Sequence, residues 1–423
     1  MQSGWRLYAV MIGLAALTGT IVALALSGGP RLPSESPRRE TPTASAFAAV
    51  TSTASPTRSP ITQASPTPTA TATPTPLAIP SGADPLTRIR PLAFTWRPTE
   101  TTAVAEKLTD SGTRLIAVSL SGGAATPLVD LPAGTQWHLR LDGSAIAMTV
   151  EVGTTLPRTR IAALNFQTGA LGWVTPDEPF VSQRSPRWSN DGTVVYYTRT
   201  SFDGAADLGI YRIRIDGSNL TQLRAPSSDG SIQVTGLTPD GVGLVISRSG
   251  LGGIVDILDL NTRLIRSYGT PGTSARPTGL VESWRPQRPR ALVGIGGPAG
   301  GLTEVTLWDD LAPAASPAPV ASQTLVFGAD WDPTATRVVL AMSANSNARP
   351  QLVTMDPSGQ NRTTLSGTDG ASSPYWLRAG IVYLYATAFA RPTEVRLAQP
   401  TGTAAPKTLL GDADIIRLAY VSP

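Results

Sequence analysis

The chain has 423 residues, enough for two or three average domains, with 41% hydrophobic residues, 15% charged residues, 40 Gly and 38 Pro. Abundant glycine and proline with few charges fit many short strands and turns and argue against a helical bundle. The net charge of +4 is carried almost wholly by arginine, Lys107 and Lys407 being the only lysines, and no basic run gathers those arginines into a nucleic-acid surface; the lack of cysteine removes disulfides, thiol catalysis, cysteine-held metals and a lipid-modified cysteine.

Residues 1–6 are a short N-terminal segment. From Leu7 to Leu26 the sequence is uncharged and mostly apolar. Twenty residues of helix at about 1.5 Å each span about 30 Å, the thickness of a bilayer's hydrocarbon core, so 7–26 is expected to be a transmembrane signal anchor. Trp5 and Tyr8 sit where interfacial aromatics belong. The competing reading is a cleaved signal peptide, which Ala23-Leu24-Ala25 would suit. Arg31, Arg38 and Arg39 follow the span and by the positive-inside tendency favour a cytoplasmic C-terminal side. The low-complexity stretch behind them points the other way, to an exported one.

Residues 27–83 carry runs such as Thr71-Ala72-Thr73-Pro74-Thr75-Pro76 and too few large apolar side chains to offset chain entropy. A disordered, extended linker is expected, either a plain spacer or a stalk suited to O-glycosylation.

From residue 84 to 423 one unit recurs. Its clearest copy runs from Ser185 to Leu223: Trp188-Ser189-Asn190-Asp191-Gly192, then Val194-Val195-Tyr196-Tyr197, then Ile210 to Ile215, with Asp216-Gly217 leading to Thr221-Gln222-Leu223. β-Branched and aromatic runs separated by Asp-Gly turns predict an antiparallel meander of three or four strands. Tyr211, Ile213 and Ile215 alternate with Arg212 and Arg214, the period of a strand with one buried face. The anchor returns at Trp96, Leu139, Trp188, Leu237, Trp284, Trp331 and Trp376, at intervals of 43, 49, 49, 47, 47 and 45 residues. That period is one propeller blade. The predicted fold is an all-β propeller of seven blades, with six or eight as alternatives. Ile415 to Pro423 looks like an eighth innermost strand, which either pairs at a ring closure or marks a displaced repeat.

Trp188-Ser189-Asn190-Asp191-Gly192 and Leu237-Thr238-Pro239-Asp240-Gly241 resemble the Trp-Ser-Pro-Asp-Gly core of TolB-like, or WD-repeat-like, bacterial propellers, as Met355-Asp356-Pro357-Ser358-Gly359 and Asn219 to Leu223 resemble later parts of that repeat. The resemblance covers 84–423 and departs from the pattern at Trp376-Leu377-Arg378-Ala379-Gly380, which keeps only Trp and Gly. It implies architecture, while the same repeat serves scaffolds, translocation partners and peptidase accessory domains.

No residue is assigned a catalytic, cofactor-binding or metal role. His138 is the single histidine, beside Trp137, and no Gly-x-Ser-x-Gly elbow accompanies it. Gly294 to Ala299 matches G-x-G-x-x-A, but Leu302 to Trp308 alternates as a strand where a nucleotide loop needs a helix. Asp412, Asp414 and Asp309-Asp310 lack the further oxygen ligands of a calcium loop. Asn219 and Asn361 open glycosylation sequons at turn positions.

The expectation is therefore a membrane-anchored, extracytoplasmic, non-catalytic binding or scaffold module of the bacterial envelope. It would need no cofactor, take a protein or peptide partner, and be secreted if the leader is cleaved. An extracytoplasmic hydrolase or lyase with carboxylate or metal chemistry in the channel is the rival, and a purely structural envelope protein is the third reading.

Overall fold

The structure, a computed structural model, describes residues 84–421 apart from short internal stretches, the longest 269–278 and 310–317; side chains across 279–319 also fall outside it. The expected membrane span at 7–26 and the linker at 27–83 lie outside the described residues. Among those described, no helix is long and apolar enough to cross a membrane, and the one helical element is a 3-10 turn at Pro85–Arg88.

Everything else is antiparallel sheet. The first sheet contains β1 (Arg90–Pro91), β2 (Thr102–Thr109), β3 (Gly112–Ser119) and β4 (Thr126–Pro132), and is completed by the last strand of the chain, β28 (Ile415–Val421), in the order β1-β4-β3-β2-β28. The second holds β5 (Trp137–Leu139), β6 (Ala145–Val152), β7 (Arg158–Asn165) and β8 (Leu171–Trp173). The third holds β9 (Val181–Trp188), β10 (Val194–Ser201), β11 (Asp207–Arg214) and β12 (Thr221–Arg224), and the fourth β13 (Ile232–Leu237), β14 (Gly243–Arg248), β15 (Val255–Asp259) and β16 (Ile265–Tyr268). The fifth sheet has seven strands: β17 (Gly279–Trp284), β18 (Arg290–Gly296), β19 (Leu302–Asp309), β20 (Ala318–Trp331), β21 (Val338–Ser343), β22 (Gln351–Met355) and β23 (Thr363–Thr364). The sixth holds β24 (Ala371–Leu377), β25 (Gly380–Tyr385), β26 (Glu394–Ala398) and β27 (Lys407–Gly411).

Each sheet lies against the next, and the sixth returns to the first through β25 against β28 and β27 against β3. This is a β-propeller. Seven sequence repeats fall into six sheets, not the seven expected. The difference lies in β20. Its first part pairs with β19, from Leu307↔Ala318 to Leu302↔Val326, and its second with β21, from Leu325↔Ser343 to Trp331↔Val338. One continuous strand of 14 residues thus joins the fifth and sixth repeats into a single sheet.

The strand from Ile415 onward closes the ring. It pairs with β2 from Thr102↔Val421 to Lys107↔Ile415 and supplies the innermost strand of the first sheet. Trp96 therefore lies between β1 and β2, off any innermost strand, and packs edge-on against Phe166, ring centroids 5.6 Å apart.

The core is a series of layers between neighbouring sheets. On β6, Ile146 and Met148 face the first sheet with Val104 and Leu115, while Ala145 and Ala147 face the third with Trp188, Val195 and Tyr197. On β11, Ile213 joins that second layer and Ile210 the next one, with Leu223, Val234 and Leu244. Tyr211 and Ile213 share one layer while Arg212 is half-buried and Arg214 exposed, as the alternation predicts; Ile210 is buried on the opposite face, and Ile215 has left the sheet and is exposed. Burial on two sides explains why these strands read as apolar runs.

The Asp-Gly turns do two jobs. Asp191 Oδ1 accepts from Ser189 Oγ at 2.6 Å and from the Thr193 N–H at 3.0 Å, closing the turn through local side-chain bonds. Gly192 (φ 67°) and Gly241 (φ 72°) take the left-handed conformation, and over them lie Arg140 and Asn190, reaching across from the preceding sheet. Asn190 Nδ2 then donates to the Pro239 carbonyl at 3.0 Å.

Candidate functional site

The innermost strands surround the channel of a propeller. Here they are tied to one another by side chains that reach the backbone of the next sheet. Gln136, just before β5, and His138 on it accept from the N–H groups of Ser185 and Trp188, at 2.8 and 3.3 Å. On β9, Arg187 Nε donates to the Thr235 carbonyl at 2.9 Å. On β20, Asp330 Oδ2 accepts from the Trp376 N–H at 2.6 Å, and on β24 Tyr375 Oη donates to the Leu418 carbonyl at 3.0 Å. Arg417 of β28 reaches β5, Nη1 donating to the Trp137 carbonyl at 3.3 Å. His138, Arg187, Asp330 and Tyr375 all stand one residue before an anchor, where a side chain meets the neighbouring sheet.

Three of these groups form a cluster. His138, Arg187 and Arg417 sit on consecutive innermost strands, and the Arg417 guanidinium lies over the Trp137 ring, 4.3 Å from its centroid. Burial holds the His138 imidazole well below its ordinary value, and the charges of Arg187 and Arg417 lower it further. Its Nδ1 accepts the Trp188 N–H, so the ring is neutral with its proton on Nε2. Burial and the nearby Arg417 bring Arg187 down to about 10, which leaves it charged at neutral pH. No ion pair neutralises either guanidinium among the described residues, although Glu106 is the backbone register partner of Arg417 on β2.

The histidine makes acid sensitivity testable. Its native value lies below its unfolded one, so between the two the unfolded chain binds more protons and stability falls as pH drops. We expect wild type to lose stability from about pH 6.5 downward, by up to about 1.4 kcal/mol per pH unit for the one proton. His138→Asn, whose Oδ1 can still accept the Trp188 N–H, should remove that part of the slope. Urea midpoints of the two proteins from about pH 7 to about pH 5 decide it; parallel curves would mean that His138 is not held neutral.

The other residues singled out in the sequence lie elsewhere. Gly294 to Gly296 are inside β18, paired with β17 and β19, so they form no phosphate loop there; Gly297 to Ala299 are outside the described residues. Asp309 ends β19, and Asp310 and Asp412 are outside the described residues. Asp414 is exposed and stands 3.9 Å from Arg391. Among the described residues no three His, Cys, Asp or Glu side chains gather as metal ligands. Asn219 (φ 55°) and Asn361 (φ 51°) occupy left-handed turn positions.

Sequence reasoning found His138 but not Arg187 or Arg417, which are two arginines among many. The signal available was position: a polar residue immediately before an anchor, or on the strand that closes the ring.

No protein-family model matches the chain, and no curated protein matches it. Solved structures do. The chain is similar to a prolyl endopeptidase (TM-score 0.53, 16% identity, covering 79% of this chain and 50% of that one) and to a puromycin hydrolase (TM-score 0.52, 15% identity, 78% and 54%). TolB from Acinetobacter baumannii aligns at a TM-score of 0.43 and 16% identity over 63% of each chain. The chain spans about half the length of the two hydrolases. At these identities the likeness is one of fold.

Proposed function

We propose that this chain is a membrane-anchored, extracytoplasmic binding module. Residues 7–26 hold it in the membrane, residues 27–83 space the propeller from the surface, and the propeller at 84–423 binds a protein or peptide partner without chemistry of its own. The observation that carries the non-catalytic part is the state of the single histidine. A general base needs a free lone pair at the reacting group. The Nδ1 lone pair of His138 is occupied by a backbone N–H, its other nitrogen carries the proton, and its neighbours are arginines. What supports binding is geometric: loops at both ends of a rigid ring, and the channel within it, are concave surfaces on a fixed scaffold.

Two measurements test this. Limited proteolysis of the full chain should cut within 27–83 and leave a resistant fragment beginning at about residue 80, since only the sheets offer a protected backbone. Uniform degradation of the chain would contradict the domain division. A pull-down from detergent-solubilised membranes with the full chain as bait should retain a specific partner at physiological salt. Repeated recovery of nothing beyond the bait would overturn the binding role and favour a purely structural part of the envelope.

A further inference from the structure

Elsewhere in this propeller, several shielded arginines have carboxylate partners, while Arg349 is held by the Asp369 and Ala386 carbonyls. Arg224 pairs with Asp207 at 3.0 Å and Arg396 with Glu394 at 2.8 Å, while Arg158 pairs with Asp177 and Arg199 with Glu178. Among the described residues Arg187 and Arg417 have no carboxylate partner. They are fixed instead by carbonyls: Thr235 and Pro186 for Arg187, at 2.9 and 2.8 Å, and Trp137 for Arg417, at 3.3 Å. Those bonds hold each guanidinium in place and use only part of its five N–H donors. Arg187 Nη2 and Arg417 Nε and Nη2 keep theirs, and so does His138 Nε2. Unlike Arg349, Arg187 and Arg417 stand close enough to act on each other, and two like charges in a shielded place repel unless an anion lies between them.

The geometry points to an oxyanion site on the channel side of β28, β5 and β9, in which Arg187 and Arg417 hold a carboxylate or phosphate group of the ligand and His138 Nε2 donates a third hydrogen bond. Guanidinium suits this chemistry because its planar fork matches two oxygens at once. Among the described residues no ion pair joins Glu106 to Arg417, so the charge of Arg417 remains for the ligand. This deepens the binding-module reading and rests on it. The ligand it implies is anionic, or presents an anionic group to the channel.

Because His138 is the only histidine, its ring C–H resonances can be followed in the full chain without assignment. Inorganic phosphate and succinate, titrated separately at constant ionic strength against chloride, stand for the two oxyanion types. We expect saturable movement of the His138 signals with at least one of them, and a rise of its pKa toward the ordinary value as the anion offsets the two arginines. Response to phosphate alone would identify a phosphate-type ligand, to succinate alone a carboxylate. Arg187→Gln and Arg417→Gln should each weaken the response about tenfold, the loss of a charge-assisted bond, while the exposed Arg378→Gln should leave it unchanged. No movement beyond the chloride baseline in wild type would overturn the proposal without any variant having to fold, and so would a response that survives both channel substitutions. A negative titration leaves the pull-down to judge partner binding, and a negative pull-down leaves the titration intact.

Discussion

Deleting residues 415–423 will cost the propeller its cooperative fold. The truncated chain keeps every repeat anchor and loses only β28, yet that strand is the innermost one of the first sheet. Without it the edge of β2, buried from Thr102 to Glu106, faces the channel with unpaired N–H and C=O groups. Ile415 and Leu418, both buried in the layer between the sixth and first sheets, go with it; full burial of each is worth about 2 kcal/mol. Tyr375 loses its acceptor on Leu418, and Trp137 loses the Arg417 guanidinium over its ring. Lost strand pairings add about 1 kcal/mol each. The total approaches the whole stability of an ordinary domain, about 5–15 kcal/mol. Thermal unfolding followed by circular dichroism should change from one sharp transition to a broad or absent one, with aggregation on gel filtration. A sharp transition within about 5 °C of the full chain would show that the ring does not depend on this strand.

The repeat itself was legible because each blade must satisfy the same physics: an apolar run buried on both sides, then a turn that needs Asp and Gly. Trp188-Ser189-Asn190-Asp191-Gly192 announces a turn whose Ser189 and Asp191 bonds are all local. Pairing beyond the unit was not legible. Whether β20 stops at the repeat boundary or runs through it depends on backbone continuity from Ala318 to Trp331, and no turn signal separates the two cases. Trp96-Arg97-Pro98 looks like every other anchor, and only the arrival of β28 from the far end of the chain removes it from the innermost position. The cluster was hidden for the same reason. Arg417 meets Trp137 and His138 only after the ring has closed, so spacing along the chain cannot bring them together.

Asp330→Ala should be the most damaging single polar substitution in the channel wall. Asp330 accepts two backbone N–H groups, from Trp331 through Oδ1 at 2.9 Å and from Trp376 through Oδ2 at 2.6 Å, and so joins the seven-stranded sheet to the sixth. Alanine leaves both donors without that acceptor at a seam where Trp331 and Trp376 are buried. Charge-assisted bonds are worth about 1.5–3 kcal/mol apiece, so a loss of about 3–5 kcal/mol is expected. Asparagine retains one carbonyl oxygen and should cost about half as much. The corresponding staple one residue before Leu139 is weaker, since the neutral His138 accepts one N–H at 3.3 Å, and His138→Ala should cost about 1 kcal/mol. Urea unfolding of the three variants should rank them in that order, with the slope of each curve unchanged because the exposed area on unfolding is the same. If Asp330→Ala stayed within about 0.5 kcal/mol of wild type, the apolar layers alone would hold the sheets together. The polar ties around the channel would then set only their register.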